Sequence, residues 1–254
     1  MKKIVLAPVL RARALEALKA TWPTMLAASA LIQLLSYVLN QVIGAIPMVG
    51  PFLSYLVIVA MSVPMLGLTS GVLGYYRGKP LTLDCLKAMF PHWQKACLLY
   101  LWTMLCLVGW MLLGMAVVAV GGIMLKLGAD GTAMIAIEAL LAVAGTVLML
   151  VLIFRAALDY SMANCILVDD PSTGVRETLR KSKAMIRGYR WYSVKVQWPV
   201  LLVIFIAVTI IGGLTAALPV WLASLISSVM AAVTGMLGYY FQPVVYEELR
   251  RIGR

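Results

Sequence analysis

Charged side chains are scarce in this sequence, and acidic ones are scarcer than basic ones. Only 12% of the 254 residues are charged, with 10 Asp and Glu against 21 Lys and Arg, whereas 63% are hydrophobic. A soluble domain has about a quarter of its residues charged and close to half of them apolar. The composition therefore excludes an ordinary soluble domain, and a chain of this length has no room for one beside several membrane spans.

Histidine and cysteine are also rare, which limits the chemistry that the chain can carry. His92 is the single histidine, so a catalytic triad, a His-ligated zinc or a histidine acid–base pair would have to use it. The four cysteines form no CxxC pair, which favours free apolar thiols over disulfides or zinc ligands. No HExxH, GxSxG or glycine-rich phosphate loop is present. We therefore predict no enzyme, no metal site and no cofactor. An intramembrane enzyme would require His92 and Asp84 to converge on a cavity.

Long apolar segments dominate what is present. A membrane-spanning helix needs about 20 apolar residues, and six segments meet that length: 24–43, 51–76, 96–121, 133–154, 194–214 and 220–240. The fourth helix is expected to run on past Arg155 to about Val168. Glycine and proline mark the short turns between alternate segments. The sequence predicts an all-α, polytopic membrane protein with six transmembrane helices and one membrane domain over 1–254.

The positive charges lie in alternate gaps between these segments. Of the 21 Lys and Arg, 20 fall in the stretches 2–19, 77–95, 155–195 and 250–254, and only Lys126 falls elsewhere. Positive residues concentrate on the cytoplasmic side of a membrane. The pattern predicts the cytoplasmic membrane as the location, with both the N-terminus and the C-terminus inside. The net charge of +11 then reflects contact with anionic headgroups, and we expect no nucleic-acid partner.

Similar stretches recur three times on the predicted inner side. Three stretches, which begin at Leu15, Leu83 and Leu179, share one pattern. Each has Leu first, Lys-Ala at the fifth and sixth places and a bulky apolar residue at the eighth. Lys19 precedes Tyr75 by 56 residues, and Lys183 precedes Tyr239 by the same distance. We predict three hairpins, each preceded by a cytoplasmic amphipathic helix, as a threefold parallel repeat. The repeats would be 1–78, 79–168 and 169–254, although a shared interfacial composition is an alternative explanation.

A basic stripe and an apolar stripe run side by side along 173–190. The apolar positions and the basic positions each recur at steps of four, three, four and three, which places each set on one side of a helix. We predict a helix in the headgroup plane with its apolar side towards the lipid. Its candidate lipid-headgroup ligands are Arg176, Arg180, Lys183, Arg187 and Arg190. The alternative is that these charges only set the topology.

Few ionisable residues fall inside the predicted spans, and such residues are candidates for function. Glu138 lies about two turns into the fourth span; it is either a proton or cation ligand or a partner of Lys126. Arg155 and Asp159 are four residues apart on the same helix, a spacing that suits a salt bridge. The alternative for these three residues is that they line a transport path.

Short motifs along the chain resemble those of one bacterial membrane family. Ser182, Met185, Gly188 and Trp191 lie in a basic-aromatic run that resembles the signature of the family called domain of unknown function 975. The segments 11–22 and 245–249 are similar to that family's opening and closing motifs. The segment 196–200 departs from it, because the family usually has Ser-Phe-x-Gly-Trp there. The resemblance implies a multi-pass bacterial membrane protein and transfers no catalytic residue.

These observations predict a non-enzymatic membrane protein. It would bind anionic lipid on the cytoplasmic side or a hydrophobic peptide, or act with a membrane-protein partner as an accessory to an export or envelope system. The alternative is a small transporter or channel with a path between the helix hairpins.

Overall fold

The computed structural model describes residues 5–126, 132–215 and 218–253, without the side chains of 51, 121–126, 132–138 and 221. This part of the chain is helical and contains no strand. The α-helices are α1 (Ala7–Gly44), α2 (Gly50–Tyr76), α3 (Trp93–Lys126), α4 (Thr132–Tyr160), α5 (Ala163–Asp169), α6 (Val175–Ile186), α7 (Arg190–Thr215) and α8 (Val220–Gly253). Two short 3₁₀ turns, Leu83–Lys87 and Phe90–His92, connect α2 to α3.

Six helical stretches of the described chain are long and apolar enough to cross a membrane, as the sequence predicted. They are Ala7–Gly44, Phe52–Tyr76, Leu83–Val120, Ala139–Asp169, Arg190–Thr215 and Leu222–Gly253. Their outward faces carry large apolar side chains such as Leu105, Leu140 and Phe205, each at least 60% exposed. Such faces suit a lipid environment and not water.

Helix α2 lies at the centre of the bundle. More than half of its most apolar stretch is buried inside the protein, the largest share among the six spans. Its fully buried Leu68 and Val72 belong to the same core as Met25 of α1 and Tyr240 of α8. Helix α1 packs along both α2 and α8, more extensively along α8. The central core is therefore built by α1, α2 and α8.

Helices α3 and α4 form a second pair that packs along its length. Gly114 lies so close to Met149 that an added Cβ would come within 2.4 Å of its side chain, and Gly145 contacts Val118 in the same way. Small residues permit this approach of two membrane helices. Helix α4 ends at Tyr160, and α5 continues after Ser161 and Met162.

The three similar inner stretches adopt three different structures, and the structure does not confirm a cytoplasmic amphipathic helix before each hairpin. The first is continuous with the span in α1, because Pro23 does not end that helix. The second forms the 3₁₀ turns. Only the third is a separate helix, α6.

Both ends of the described chain lie at one end of the bundle. The backbone N–H of Val5 donates to Oε1 of Glu248 at 2.9 Å, and Tyr192 donates its hydroxyl to the carbonyl of Val5 at 2.6 Å. The same end carries α5, α6 and Arg77 after the end of α2, and we call it the charged end.

Candidate functional site

The apolar side of α6 is buried in the protein at the charged end. Val175, Thr178, Leu179, Ser182 and Ile186 are all buried, and the helix packs on α3, α4, α5 and α8. The prediction that this side faces lipid is therefore wrong. An apolar face must leave water, and here other helices of the same chain cover it.

A hydrogen bond and a core cluster position α6 against its neighbours. Ser182 donates its hydroxyl to the backbone carbonyl of Asp159 on α4, at 2.8 Å. Val175 and Leu179 share a buried cluster with Ala163 and Leu167 of α5. Because Ser182 and both apolar side chains face inwards, the neighbouring basic positions face outwards.

The helix that was predicted to run to Arg190 ends at Ile186. Gly188 has a φ of 90°, a left-handed conformation that favours glycine and interrupts the helix, and α7 begins at Arg190. The guanidinium of Arg190 contacts Oδ1 of Asp159, through Nε at 2.7 Å and Nη2 at 2.6 Å. The side chain of Asp159 is only 9% exposed. Arg190 is therefore the partner of a buried carboxylate, unlike the other four predicted headgroup ligands.

The predicted pair of Arg155 with Asp159 does not form. Arg155 is exposed and makes no ion pair in the described part of the chain. Asp159 faces Arg190 instead, because the turn at Gly188 returns the chain to the end of α4. Glu138 lies outside the residues whose side chains the structure describes, and so does its predicted partner Lys126.

Four of the five predicted headgroup ligands remain together on the outer side of α6. Arg176, Arg180, Lys183 and Arg187 are all exposed, and their steps of four, three and four place them in one row. We call these four residues the basic stripe. No carboxylate of the described chain lies within salt-bridge distance of them. The guanidinium carbon of Arg176 lies 4.7 Å from the ring centroid of Trp102 on α3, a cation–π contact.

Several other cations at the charged end pair with carboxylates. Lys181, on α6 but outside the basic stripe, pairs with Glu177 at 3.1 Å. Arg77 pairs with Asp169 at 2.6 Å and with Glu247 at 2.5 Å. Burial alone lowers the pKa of the Arg77 guanidinium, but these hydrogen bonds outweigh burial and raise its pKa above the ordinary value. Unlike Lys181 and Arg77, the residues of the basic stripe have no carboxylate partner in the described part of the chain.

Arg250 and Tyr246 complete the network around Asp169. Arg250 lies 3.0 Å from Oδ2 of Asp169, and Tyr246 donates its hydroxyl to the same oxygen at 3.0 Å. The network joins the ends of α2, α5 and α8. The positive and negative charges of this network balance one another, so the network has a structural role.

The loop before α6 is held by hydrogen bonds of its own. Ser172 and Thr173 donate their hydroxyls to the carboxylate of Asp170, and these bonds lower its pKa to about 2. Lys95 at the start of α3 donates to the carbonyls of Pro171 and Ser172 at 2.6 and 3.0 Å. This loop fixes where α6 begins and therefore where the basic stripe lies.

The two residues on which an enzymatic site would depend, His92 and Asp84, are both exposed. The carboxylate of Asp84 lies 4.0 Å from Lys87 on the protein surface. Among the described residues, no group of three His, Cys, Asp or Glu side chains is arranged to hold a metal ion.

Trp102 is a contact of the basic stripe that sequence reasoning missed. The available signal was weak, since Trp is common in apolar membrane helices near the interface. Nothing in the order of residues links Trp102 to Arg176, which lies on a different helix.

One comparison with known proteins identifies a family, and none supplies an activity. The sequence model of a family described as "Protein of unknown function (DUF975)" matches residues 9–240. No curated protein and no solved structure matches the chain.

Proposed function

The chain belongs to the DUF975 family, and from its own geometry we propose that it is a non-enzymatic, multi-pass membrane protein that binds anionic phospholipids through the basic stripe. One observation carries this proposal. Arg176, Arg180, Lys183 and Arg187 form one exposed row and lack carboxylate partners in the described chain, while Lys181 on the same helix pairs with Glu177. A row of unpaired cations is a ligand for phosphate groups.

The location of the basic stripe supports a lipid and not a soluble anion as its ligand. Arg176 contacts Trp102, which lies on the membrane-spanning helix α3. Trp93 at the start of α3 and Trp191 at the start of α7 are 55% and 75% exposed. Tryptophan side chains concentrate at the headgroup level of a bilayer. These tryptophans support a position of the basic stripe at the level of the lipid phosphates.

The proposal includes an orientation. The charged end would face the cytoplasm, with both termini inside, in a bacterial cytoplasmic membrane, because Lys and Arg concentrate on that side. The anionic lipids of the inner leaflet would then be the partners of the basic stripe. We retain the three hairpins and the threefold parallel repeat as predictions, and a membrane-protein partner as a further one.

Native mass spectrometry of the protein in mild detergent tests the proposal, with phosphatidylglycerol and phosphatidylcholine added in turn. Each basic residue near an anionic surface contributes about 1 kcal/mol. Replacing Arg180 and Lys183 with Gln should therefore weaken phosphatidylglycerol binding by about 30-fold. Phosphatidylcholine binding should be weak and unchanged.

A matched control removes the same charge elsewhere. Lys19 and Lys79 are exposed and lie outside the basic stripe, so their double Gln variant should keep phosphatidylglycerol binding. If the Arg180 and Lys183 variant bound phosphatidylglycerol as the unmodified protein does, lipid binding at this site would be rejected. Equal losses in both variants would mean that net charge alone attracts the lipid.

A further inference from the structure

A half-open cavity lies between α1, α2 and α8, and its mostly apolar lining includes a few polar side chains. It has a volume of about 260 Å³. Gly235 and Gly238 line it from α8, and a Cβ added at either position would meet no atom within 4 Å. The missing side chains of these two glycines leave the space open.

Three polar side chains of this cavity have no partner. Neither the amides of Gln33 and Gln242 nor the hydroxyl of Tyr239 forms a hydrogen bond with any described residue, although all three line the cavity and are half-buried. In contrast, Asn40 on the same helix α1 donates to the carbonyl of Ser36 at 2.8 Å.

Side chains on a helix lean towards its N-terminus. Because α1 and α8 run in opposite directions, Gln33 and Gln242 lean towards each other from the two ends of the cavity. Amide and hydroxyl groups therefore converge on one space.

Polar groups in the hydrocarbon region cost free energy unless they form hydrogen bonds. The groups that converge here need a partner that the described protein does not supply. No charged side chain lines the cavity, so nothing there would offset the charge of an ionic ligand. Its volume exceeds that of a single water molecule, whose share of the liquid is about 30 Å³.

We propose that this cavity binds a small uncharged solute that carries hydroxyl or amide groups, and that the protein conducts such solutes across the membrane. The proposal goes beyond lipid binding and does not depend on it. It concerns the seam between α1, α2 and α8, and not a path lined by Glu138 or Arg155.

The seam has polar groups on both sides of the cavity. Towards the charged end, the Thr21 hydroxyl and the Tyr240 hydroxyl are 2.6 Å apart, and beyond them lies a wider polar opening of about 580 Å³. Away from the charged end, Ser36 and Asn40 continue the face of α1 on which Gln33 lies. The buried Thr21 and Tyr240 side chains close the seam in this structure, so conduction requires them to separate.

Osmotic uptake of glycerol by proteoliposomes, followed by stopped-flow light scattering, tests the proposal. We expect vesicles that contain the protein to take up glycerol faster than protein-free vesicles, and to exclude choline, which is charged. Replacing Gly238 with Leu fills the cavity and should reduce glycerol uptake to the rate of protein-free vesicles. Gly109→Leu is the matched control, because Gly109 on α3 also has open space around its Cβ position.

A second variant, at Gln33, distinguishes a role in solute binding from a structural role of its side chain. Gln33→Leu keeps the size of the side chain and removes its hydrogen bonds. It should reduce glycerol uptake while leaving the thermal stability in detergent equal or higher, because no protein hydrogen bond is lost. Uptake no faster than in protein-free vesicles, or uptake that both Gly238→Leu and Gln33→Leu leave unchanged, would overturn the proposal.

Discussion

Arg11 on α1 donates a hydrogen bond from Nη2 to the backbone carbonyl of Lys195 on α7, at 2.8 Å. Pro199 lies four residues after Lys195 inside α7. Because proline has no N–H, this carbonyl lacks the donor that an α-helix normally supplies. A side chain of one helix thus replaces a missing backbone hydrogen bond of another.

Removal of this donor should destabilise the protein. We expect Arg11→Leu to lower the free energy of unfolding in detergent by about 1 kcal/mol, the usual contribution of one hydrogen bond. In the background of Pro199→Ala, which restores a helical N–H, Arg11→Leu should have a smaller effect. An equal loss in both backgrounds would show that the carbonyl of Lys195 is not what Arg11 stabilises.

The pairing of Asp159 can be tested with two arginines on different helices. Arg190→Gln leaves a buried carboxylate without its cation and should lower the free energy of unfolding by about 2 kcal/mol, less than for a fully buried pair because Arg190 is partly exposed. Arg155→Gln should change it by less than about 0.5 kcal/mol. Asp159→Asn combined with Arg190→Gln should recover part of the loss. Urea or SDS titration measures the free energy of unfolding of all three purified variants. A larger loss for Arg155→Gln than for Arg190→Gln would support the pair of Arg155 with Asp159 that the sequence predicted.

Because the backbone packs closely around Gly67, we expect the addition of one methyl group there to lower the stability of the protein strongly. A Cβ added at Gly67 would lie 2.5 Å from the carbonyl oxygen of Cys85, which is backbone and cannot rotate away. Gly67→Ala should therefore lower the free energy of unfolding by about 2 kcal/mol. At Gly109 a Cβ meets nothing within 4 Å, so Gly109→Ala should leave stability unchanged or slightly higher. Thermal unfolding in detergent compares the two variants, and equal melting temperatures would contradict this packing.

The loop before α6 should weaken in strong acid. Hydrogen bonds from Ser172 and Thr173 lower the pKa of Asp170 from 3.8 to about 2. Because its pKa is lower in the folded protein, Asp170 binds a proton more readily in the unfolded chain. The stabilisation of the folded state by the Asp170 carboxylate is therefore present above about pH 4 and is lost as the pH falls through about 2. Asp170→Asn should remove this pH dependence. Unfolding measured from pH 5 to pH 2 tests it, and an identical pH profile for the Asn variant would exclude Asp170 as its source.

The six spans were predictable because their signal is local. An apolar run of about 20 residues has to leave water whatever its neighbours are. The structure confirms a helix at each predicted segment, with the first extended back to Ala7 and the last forward to Gly253. The four exposed positions of the basic stripe were predictable for a similar reason, since the 3.6-residue period determines which side chains share a side of a helix.

The partners of charged side chains were harder to predict. The spacing of Arg155 and Asp159 suggested a pair within one helix, but Asp159 contacts Arg190, 31 residues later in the chain. That contact depends on the turn at Gly188, whose left-handed backbone ends α6 and directs α7. A spacing of four residues permits a contact within a helix, but it does not exclude a better partner from another helix.

By itself, the sequence determined which segments leave water, where the positive charge lies and which residues share a side of α6. Only the tertiary structure decided that the apolar side of α6 is covered by protein and not lipid, that Arg190 binds Asp159, and that Gln33 and Gln242 line one cavity. The physical reason is that hydrophobicity measures transfer out of water and does not distinguish a lipid chain from a neighbouring helix. Which polar groups meet depends on how helices far apart in sequence pack together.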